Sequence, residues 1–320
     1  MHYDIFNGDA DGIFSLHQFR LSTPFPEAQL ITGVKRDICL LAQLENLCGC
    51  VLTVFDISLD SNRLSLLKIL HGGNEVTYFD HHYAGDPISG PGLHTHIDPS
   101  PATCTSLVVD KVFHHQHGLW AICGAFGDNL LDQALNLAKS FRLSDQQTEQ
   151  LRELGELFNY NGYGSTLEDL HFHPQELYEA IRPYTDPFDY LANTQQVNTL
   201  RVAYQTDIAL AMQQEELTTI GINRVYHLPN ASWARRAVGV FSNRKARELP
   251  AAAHAIITDN PDGTLRISVR APLADPHHAD TLCKLYPTGG GRSAAAGINI
   301  LPKDLLDQFL KSFHSFYSRQ

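Results

Sequence analysis

The sequence contains no apolar run that approaches the roughly 20 residues needed to cross a lipid bilayer. Its 320 residues open without a charged and then apolar leader, so we expect no signal peptide. The six cysteines are scattered, and Cys48-Gly-Cys50 lacks the CxxC spacing of zinc ribbons and redox sites. We therefore expect reduced cysteines and a cytoplasmic protein with no membrane partner.

Positive charge is scarce, and the net charge of the chain is −11. Residues 199–320 carry 14 Lys and Arg against 10 Asp and Glu, whereas residues 1–198 carry 10 against 25. An acidic first part suits cations and a basic second part suits phosphate, although ordinary surface variation would also explain the difference. The overall acidity argues against a long electrostatic track for nucleic acid.

The first part of the chain alternates strand and helix patterns. Short apolar runs at residues 3–6, 28–34, 50–55 and 76–79 predict strands, and amphipathic segments between them predict helices. Such βαβ repetition is typical of a parallel sheet covered on both faces. The predicted fold class is therefore α/β, with an N-terminal doubly wound, mainly parallel sheet.

The second part has a different pattern and predicts a smaller C-terminal α/β domain. Strands are expected near residues 221–228, 237–241, 255–258 and 265–271, with Asp262-Gly263 as a hairpin turn. We predict a catalytic metal-binding domain over 1–185, a linker over 186–205 and a substrate-binding domain over 206–320. The active-site cleft is expected between the two domains. Residues 120–126 are predicted to be buried, as strand or helix, and residues 159–164 to form a polar loop beside the cleft.

The stretch Tyr78-Phe79-Asp80-His81-His82 ends a buried strand with one carboxylate and two imidazoles. Ligands bind beyond the carboxyl ends of parallel strands, and other acidic residues follow predicted elements at similar places. These are Asp9, Asp11, Asp56 and Asp128. Any one of them alone would be interpreted as a turn or helix cap. Together they predict a metal centre.

Carboxylates with one imidazole suit Mn²⁺ or Mg²⁺ better than a thiolate-binding metal. Asp9 and Asp11 are two residues apart, so one can face each of two ions, and Asp56 is a natural bridging ligand. His81 and Asp128 would complete the second ion. Ions about 3.5–4 Å apart clamp a phosphoryl group and activate a bridging water.

Four ordered motifs resemble those of the DHH phosphoesterase superfamily. They are Asn7-Gly-Asp-Ala-Asp-Gly12, Asp56, Asp80-His81-His82 and Gly127-Asp128. The segment Gly289-Gly-Gly-Arg-Ser-Ala-Ala-Ala-Gly297 resembles the GGGHxxAAG motif of the DHHA1 domain, with Ile267–Arg270 as the preceding strand. The resemblance implies a Mn²⁺-dependent hydrolase of nucleotide phosphoester bonds. RecJ-like exonucleases and NrnA-like nanoRNases belong to this class.

The resemblance also implies roles for individual residues. The five metal ligands would be Asp9, Asp11, Asp56, His81 and Asp128. His82 would contact the scissile phosphate or assist the leaving group, and Asp80 would orient a histidine. The substrate would be held by Arg270, Gly289, Gly290, Gly291 and Arg292.

The chain departs from the family pattern at two positions. Many members place a His or Asp ligand where this chain has Asn7, whose neutral carbonyl would bind an ion weakly. Arg292 replaces the usual histidine of the glycine motif and is a bidentate phosphate ligand rather than a proton donor. The three glycines before it would let backbone amides approach an anion. The alternative explanation is a glycine-rich turn that packs a helix on a strand.

The sequence thus predicts a two-ion phosphodiesterase that cleaves short oligonucleotides or linear dinucleotides to mononucleotides, with a homodimer allowed. One alternative is a RecJ-like single-strand exonuclease, which fits less well because no added OB-type domain is evident. A pyrophosphatase is disfavoured by the glycine motif. The non-enzyme alternative is a nucleotide-binding sensor that has lost catalysis, motivated by Asn7 and Arg292. Thr103, Thr105 and Ser106 open a helix and are expected to cap it or donate to a phosphate.

Overall fold

Two compact units, Met1–Val202 and Ala203–Gln320, make up the chain in the computed structural model, which describes residues 1–318. Within the predicted linker, residues 187–193 and 196–205 are helical, and the boundary between the units falls inside the second of these helices. The elements of the first unit and this boundary helix are β1 (His2–Phe6), α1 (Ala10–Ser22), β2 (Gln29–Ile31), β3 (Val51–Phe55), α2 (Arg63–His71), β4 (Glu75–Asp80), β5 (Leu93–Ile97), α3 (Thr105–Val112), α4 (Gly118–Gly127), α5 (Leu131–Ser140), α6 (Asp145–Gly162), α7 (Pro174–Ile181), α8 (Pro187–Asn193) and α9 (Gln196–Met212).

The first unit is built on a five-stranded sheet in the order β2-β1-β3-β4-β5, and all four pairings are parallel. Successive strand residues point to opposite faces. Val54 packs on one face with Leu66 of α2, whereas Phe55 stacks with Phe79 on the other face, where Phe19 of α1 contacts both rings. Elements cover both faces, so the predicted doubly wound parallel sheet is confirmed.

The second unit contains a six-stranded mixed sheet in the order β10-β11-β9-β8-β7-β6. Only β7 and β8 run parallel among its pairings. Its elements are β6 (Glu216–Ile220), β7 (Asn223–Leu228), α10 (Ser232–Glu248), β8 (His254–Asp259), β9 (Leu265–Arg270), α11 (Ala279–Cys283), β10 (Gly289–Gly291), β11 (Ala295–Leu301) and α12 (Leu306–Tyr317). Phe241 of α10 packs on one face of the sheet, and Phe309 and Phe313 of α12 pack on the other. The prediction of a C-terminal α/β domain is confirmed.

Two local predictions are wrong, and one left undecided is resolved. Residues 237–241 lie inside α10, because Ala237, Val238 and Phe241 recur at helical spacing and bury one face of that helix. Residues 159–162 form the last turn of α6 rather than a loop. The buried segment 120–126, left open between strand and helix, belongs to α4.

Among residues 1–318, the structure has no helix that is both long enough and apolar enough to cross a membrane.

Candidate metal centre

The acidic motifs meet because β1, β3 and β4 are neighbours and run in the same direction. Their carboxyl ends therefore lie at one edge of the sheet, and the motifs of Asp9, Asp56 and Asp80 follow these ends, whereas Asp128 follows the helix α4. The backbone N–H of Asp56 donates to the carbonyl of Phe79 at 3.0 Å, which continues the pairing of β3 with β4 by one residue. Asp56 itself has a φ of 58°, a left-handed conformation that turns the chain at the strand end.

The tightest group of candidate ligands consists of Asp56, His81 and His82, whose ligand atoms lie within 4.8 Å of one another. Nε2 of His81 is 3.4 Å from Oδ1 of Asp56 and 3.9 Å from Oδ2 of Asp128. Nδ1 of His81 is 3.1 Å from the carbonyl of Thr103, so the other ring nitrogen faces the carboxylates. Three of the five predicted ligands are thus brought together, with His82 beside them.

Asp80 is fully buried and lies behind the histidine pair. Its carboxylate accepts the backbone N–H groups of His81, His82 and Leu59 at 2.8, 3.2 and 3.3 Å. Its Oδ1 is also 2.6 Å from Nδ1 of His82. The histidine that Asp80 orients is therefore His82, and the role of His82 towards a substrate stays a prediction.

Asp9 and Asp11 are both almost fully buried, but they have different partners. Asp9 caps α1 by accepting the N–H of Gly12 at 3.1 Å, and its second oxygen pairs with the ammonium of Lys35. Asp11 points to the start of α3, where its two oxygens accept the N–H groups of Thr105 and Ser106 at 2.7 and 2.8 Å. The ligand roles of Asp9 and Asp11 stay predictions, and an ion would share each carboxylate with these donors.

The start of α3 orients the carboxylates rather than offering free donors. Besides the two backbone bonds to Asp11, the hydroxyl of Thr105 donates to Oδ1 of Asp56 at 3.0 Å. The hydroxyl of Ser106 donates to the carbonyl of Asp11 at 3.1 Å. Capping was one of the two expected roles of Thr105 and Ser106. In the structure the carboxylate of Asp11, distant in sequence, caps the helix by accepting their backbone N–H groups.

Lys35 is the residue of this centre that the sequence reasoning missed. It lies in the loop after β2, and its Nζ contacts Asp9, Oδ1 of Asn159 at 2.8 Å and Oδ1 of Asp128 at 4.0 Å. Its side chain is only 23% exposed. The sequence signal that could have found it is slight, because Lys35 follows a predicted strand by a few residues but belongs to no motif.

Asn7 is joined to the same loop. Its Nδ2 donates to the carbonyl of Lys35 at 3.1 Å, while the N–H of Lys35 donates to the carbonyl of Gly162 at 3.0 Å. The Oδ1 of Asn7 is buried and has no hydrogen-bond partner within residues 1–318. Asn7 therefore anchors the backbone of Lys35. The family pattern predicts a His or Asp metal ligand at this position.

The centre holds an excess of negative charge. Burial, together with the charges of Asp11 and Asp9, raises the pKa of Asp56 well above its ordinary value. Burial raises the pKa of Asp128 to about 6, against the opposing charge of Lys35. Burial alone would lower the pKa of His81, but its bond to Asp56 and the nearby carboxylates raise it to about 10. Crowded carboxylates with raised pKa values fit a bound cation, and this donor set suits Mn²⁺ or Mg²⁺.

The predicted substrate site of the second unit is brought together in part. Arg270 pairs with Ala295 across β9 and β11, and Arg292 exchanges two backbone hydrogen bonds with Ala295, so both arginines lie at one end of this strand pair. Arg292 is exposed, whereas the guanidinium of Arg270 donates to Asn243 and Ser268 at 2.8 and 3.0 Å. Substrate binding there stays a prediction.

The glycines at 289–291 form strand β10 rather than a loop, and two of them have packing reasons to be glycine. A Cβ on Gly289 would lie 1.7 Å from the carbonyl oxygen of Cys283, and Gly291 has a φ of 135° and adjoins Ala296. A Cβ on Gly290 would meet nothing within 4 Å. Close packing of α11 on β10 therefore accounts for the glycine at position 289. Of the three positions, only 290 has room for a side chain.

No family model matches the chain, and no curated protein matches it. Solved structures do match. Exonuclease RecJ bound to manganese has a TM-score of 0.63 at 13% identity, covering 100% of this chain and 90% of that one. RecJ from Thermus thermophilus in complex with Mn²⁺ has a TM-score of 0.63 at 16% identity, and this chain spans 52% of its length.

The pGpG-specific phosphodiesterase PggH from Vibrio cholerae matches over 99% of both chains, with a TM-score of 0.55 and 12% identity. RecJ and PggH are members of the DHH superfamily, so the predicted resemblance is confirmed at the level of the fold. At such low identity the likeness shows the two-unit fold and not the activity.

Proposed function

We propose that this protein is a metal-dependent phosphodiesterase that hydrolyses short oligonucleotides or linear dinucleotides to mononucleotides. The observation that carries the proposal is the convergence of Asp56, His81 and His82 within 4.8 Å, with Asp128 beside His81. Asp56, His81 and Asp128 together offer carboxylate oxygens and one imidazole nitrogen, a donor set that suits Mn²⁺ or Mg²⁺. Further support comes from the names of the structural neighbours, an exonuclease and a pGpG phosphodiesterase.

The bound cation is proposed to be Mn²⁺, as two ions, with Mg²⁺ as a substitute. Such ions would supply charge stabilisation at the phosphoryl group and lower the pKa of a bound water. Asp56 would bridge the ions, Asp9 and Asp11 would each face one of them, and His81 and Asp128 would complete the second ion. The RecJ structures contain Mn²⁺ or Mg²⁺, which supports the same choice here.

The residues around the ions would position the phosphate and the proton. Asp80 holds Nδ1 of His82, so the opposite ring nitrogen of this 43%-exposed side chain is the one that can donate to a phosphate oxygen or a leaving group. Thr105 and the backbone amides at the start of α3 keep Asp56 and Asp11 in place. This division separates ion binding from proton transfer within the His81-His82 pair.

The domain assignment and the substrate site are part of the same proposal. Residues 1–185 would carry the chemistry and residues 206–320 would hold the terminal nucleotide, with Arg270, Arg292 and Gly290 as its contacts. A cytoplasmic location and a homodimer remain predictions. The RecJ-like alternative, a single-strand exonuclease, is favoured by the likeness to RecJ over 90% of one RecJ chain.

The test is a digest of labelled RNA and DNA ladders of two to twenty nucleotides with and without Mn²⁺, analysed by product length. Mononucleotides that appear only with the metal support the proposal. Asp56→Asn should be inactive, and Asp132→Asn, which changes an exposed carboxylate on α5, should match the wild type. Absence of metal-dependent cleavage of every ladder, with Mn²⁺ or nucleotide still bound, would favour the sensor alternative.

A further inference from the structure

The ammonium of Lys35 lies beside two carboxylates of the acidic centre, where its positive charge offsets theirs. Asp9 pairs with it directly, and Asp128 lies 4.0 Å away on its other side. Asp9 belongs to the first of the four motifs and precedes α1, whereas Asp128 belongs to the last motif and follows α4. Both were expected to bind divalent ions, and Lys35 was not among the predicted site residues. In the structure, the carboxylate of Asp9, which was expected to bind a metal ion, contacts the ammonium of Lys35.

The position of Lys35 is built by several independent contacts rather than by one flexible side chain. Asn159 fixes the ammonium at 2.8 Å, and the ring of Tyr163 lies 5.4 Å from the same Nζ. Asn7 and Gly162 hold the peptide groups on both sides of its Cα. An exposed lysine paired with a carboxylate would contribute little, but a largely buried and fixed ammonium is a strong local charge.

The ligands divide into two sides according to their distance from this charge. Asp56 and His81 form one side and do not contact Lys35, so an ion there meets carboxylate and imidazole without a competing cation. Asp9 forms the other side, where an ion would have to displace or approach the ammonium. Asp128 lies 3.9 Å from His81 and 4.0 Å from Lys35. The ammonium and an ion bound by Asp9 are both positive, and two like charges in contact with one carboxylate repel strongly in a partly buried site. The two sides therefore differ in their affinity for divalent ions.

We propose that Lys35 is a built-in counter-ion for the Asp9 side of the centre and competes there with a divalent cation. The inference rests on the proposed metal-dependent function and makes its two ions unequal. The ion beside Asp56 and His81 binds first and tightly. The ion beside Asp9 binds second, and only as Lys35 yields Asp9 to it. Lys35 is a positioning residue that sets the metal concentration at which the complete centre forms.

The experiment is a Mn²⁺ titration of the metal-free full chain by calorimetry, with electron paramagnetic resonance to detect coupled Mn²⁺ pairs. Lys35→Met keeps the length of the side chain and removes its charge. We expect the second Mn²⁺ to bind at least about tenfold more tightly in this variant, because a contacting unit charge has been removed. Lys35→Arg should retain the weak second ion. Lys68→Met, which breaks an exposed pair with Glu45, is the matched control and should bind Mn²⁺ like the wild type.

Lys35→Met leaves Asp9 without its partner and can reduce stability, so Lys35→Gln is the second variant because it keeps a hydrogen-bond donor without the charge. Melting curves provide an independent measurement, and Mn²⁺ should raise the melting temperature of both neutral variants more than that of the wild type. Unchanged or weaker binding of the second ion in the neutral variants overturns the inference. If the wild type binds no divalent ion at all, the proposed function fails instead, so the two failures are distinct.

Discussion

Nδ1 of His82 lies 2.6 Å from Oδ1 of Asp80, a carboxylate with no exposed surface. The preceding residue, His81, turns its Nδ1 to the carbonyl of Thr103 and its Nε2 to Asp56. Two adjacent histidines therefore face different partners. His81 faces the carboxylate of Asp56 and His82 is held by a buried carboxylate, as the proposed division into an ion ligand and a substrate-facing group requires.

The first prediction concerns Asp56. A bridging ligand serves both proposed ions, and each 1.4 kcal/mol of lost transition-state stabilisation is about a factor of ten in rate. Asp56→Ala should therefore lower kcat by about 10³-fold or more, since a metal clamp supplies several kcal/mol. The measurement is steady-state cleavage of a dinucleotide at saturating Mn²⁺, with EDTA-treated wild type for comparison. Wild-type rates in this variant would contradict the two-metal mechanism.

The second prediction separates the two histidines. His82→Ala should lower kcat while the metal content stays near that of the wild type, and Asp80→Asn should reproduce this effect with a loss of about 10–100-fold, as is common for residues that orient a functional histidine. His81→Ala should lose both metal and activity. Metal analysis of the purified variants, beside their kinetics, decides the matter. Equal depletion in the His81 and His82 variants would show that the division of roles is wrong.

The third prediction is a length limit set by the second unit. The exposed Arg292 offers one anchor, whereas a long strand would need a continuous positive track, and residues 1–198 carry an excess of acidic residues. Dinucleotides to about pentamers should be cleaved with higher kcat/KM than 20-mers. Arg292→Ala should raise KM for the short substrates far more than it lowers kcat, because it removes binding common to ground and transition states. Equal or better efficiency on the 20-mer would favour the RecJ-like alternative.

The fourth prediction concerns pH and His17, a buried residue of α1 whose Nε2 is 2.9 Å from the carbonyl of Tyr184. Burial lowers its pKa to about 3 from an ordinary 6.5. Between about pH 3 and pH 6.5, His17 is therefore protonated in the unfolded chain but neutral in the folded chain. The free energy of unfolding consequently falls as the pH falls below 6.5. By pH 5 this loss amounts to about 2 kcal/mol.

Denaturant unfolding of the full chain from pH 7 to pH 5 measures this dependence. His17→Gln cannot titrate and should show a flatter profile, whereas His71→Gln, on the exposed end of α2, should keep the slope of the wild type. An unchanged slope in His17→Gln would assign the acid sensitivity to other groups.

The sequence by itself determined the sheet and the order of the acidic motifs. Apolar runs of strand length, each ending in a carboxylate or histidine, predicted β1, β3 and β4 because parallel strands buried on both faces have few polar residues. Parallel neighbours necessarily share a carboxyl edge. For that reason the convergence of Asp56 and His81 follows from the pattern once the fold class is right, whereas Asp128 follows the helix α4 and reaches the centre through tertiary packing.

Only the tertiary structure decided the parts that depend on contacts between distant segments. Lys35 belongs to no motif, and it enters the centre because the loop after β2 is held by Asn7 and Gly162. Asp11 looked equivalent to Asp9 in the sequence, yet its partners lie 94 and 95 residues away at the start of α3. Local periodicity carries no information about such pairings, since a buried ammonium or carboxylate takes whichever partner the packed elements bring within hydrogen-bond distance.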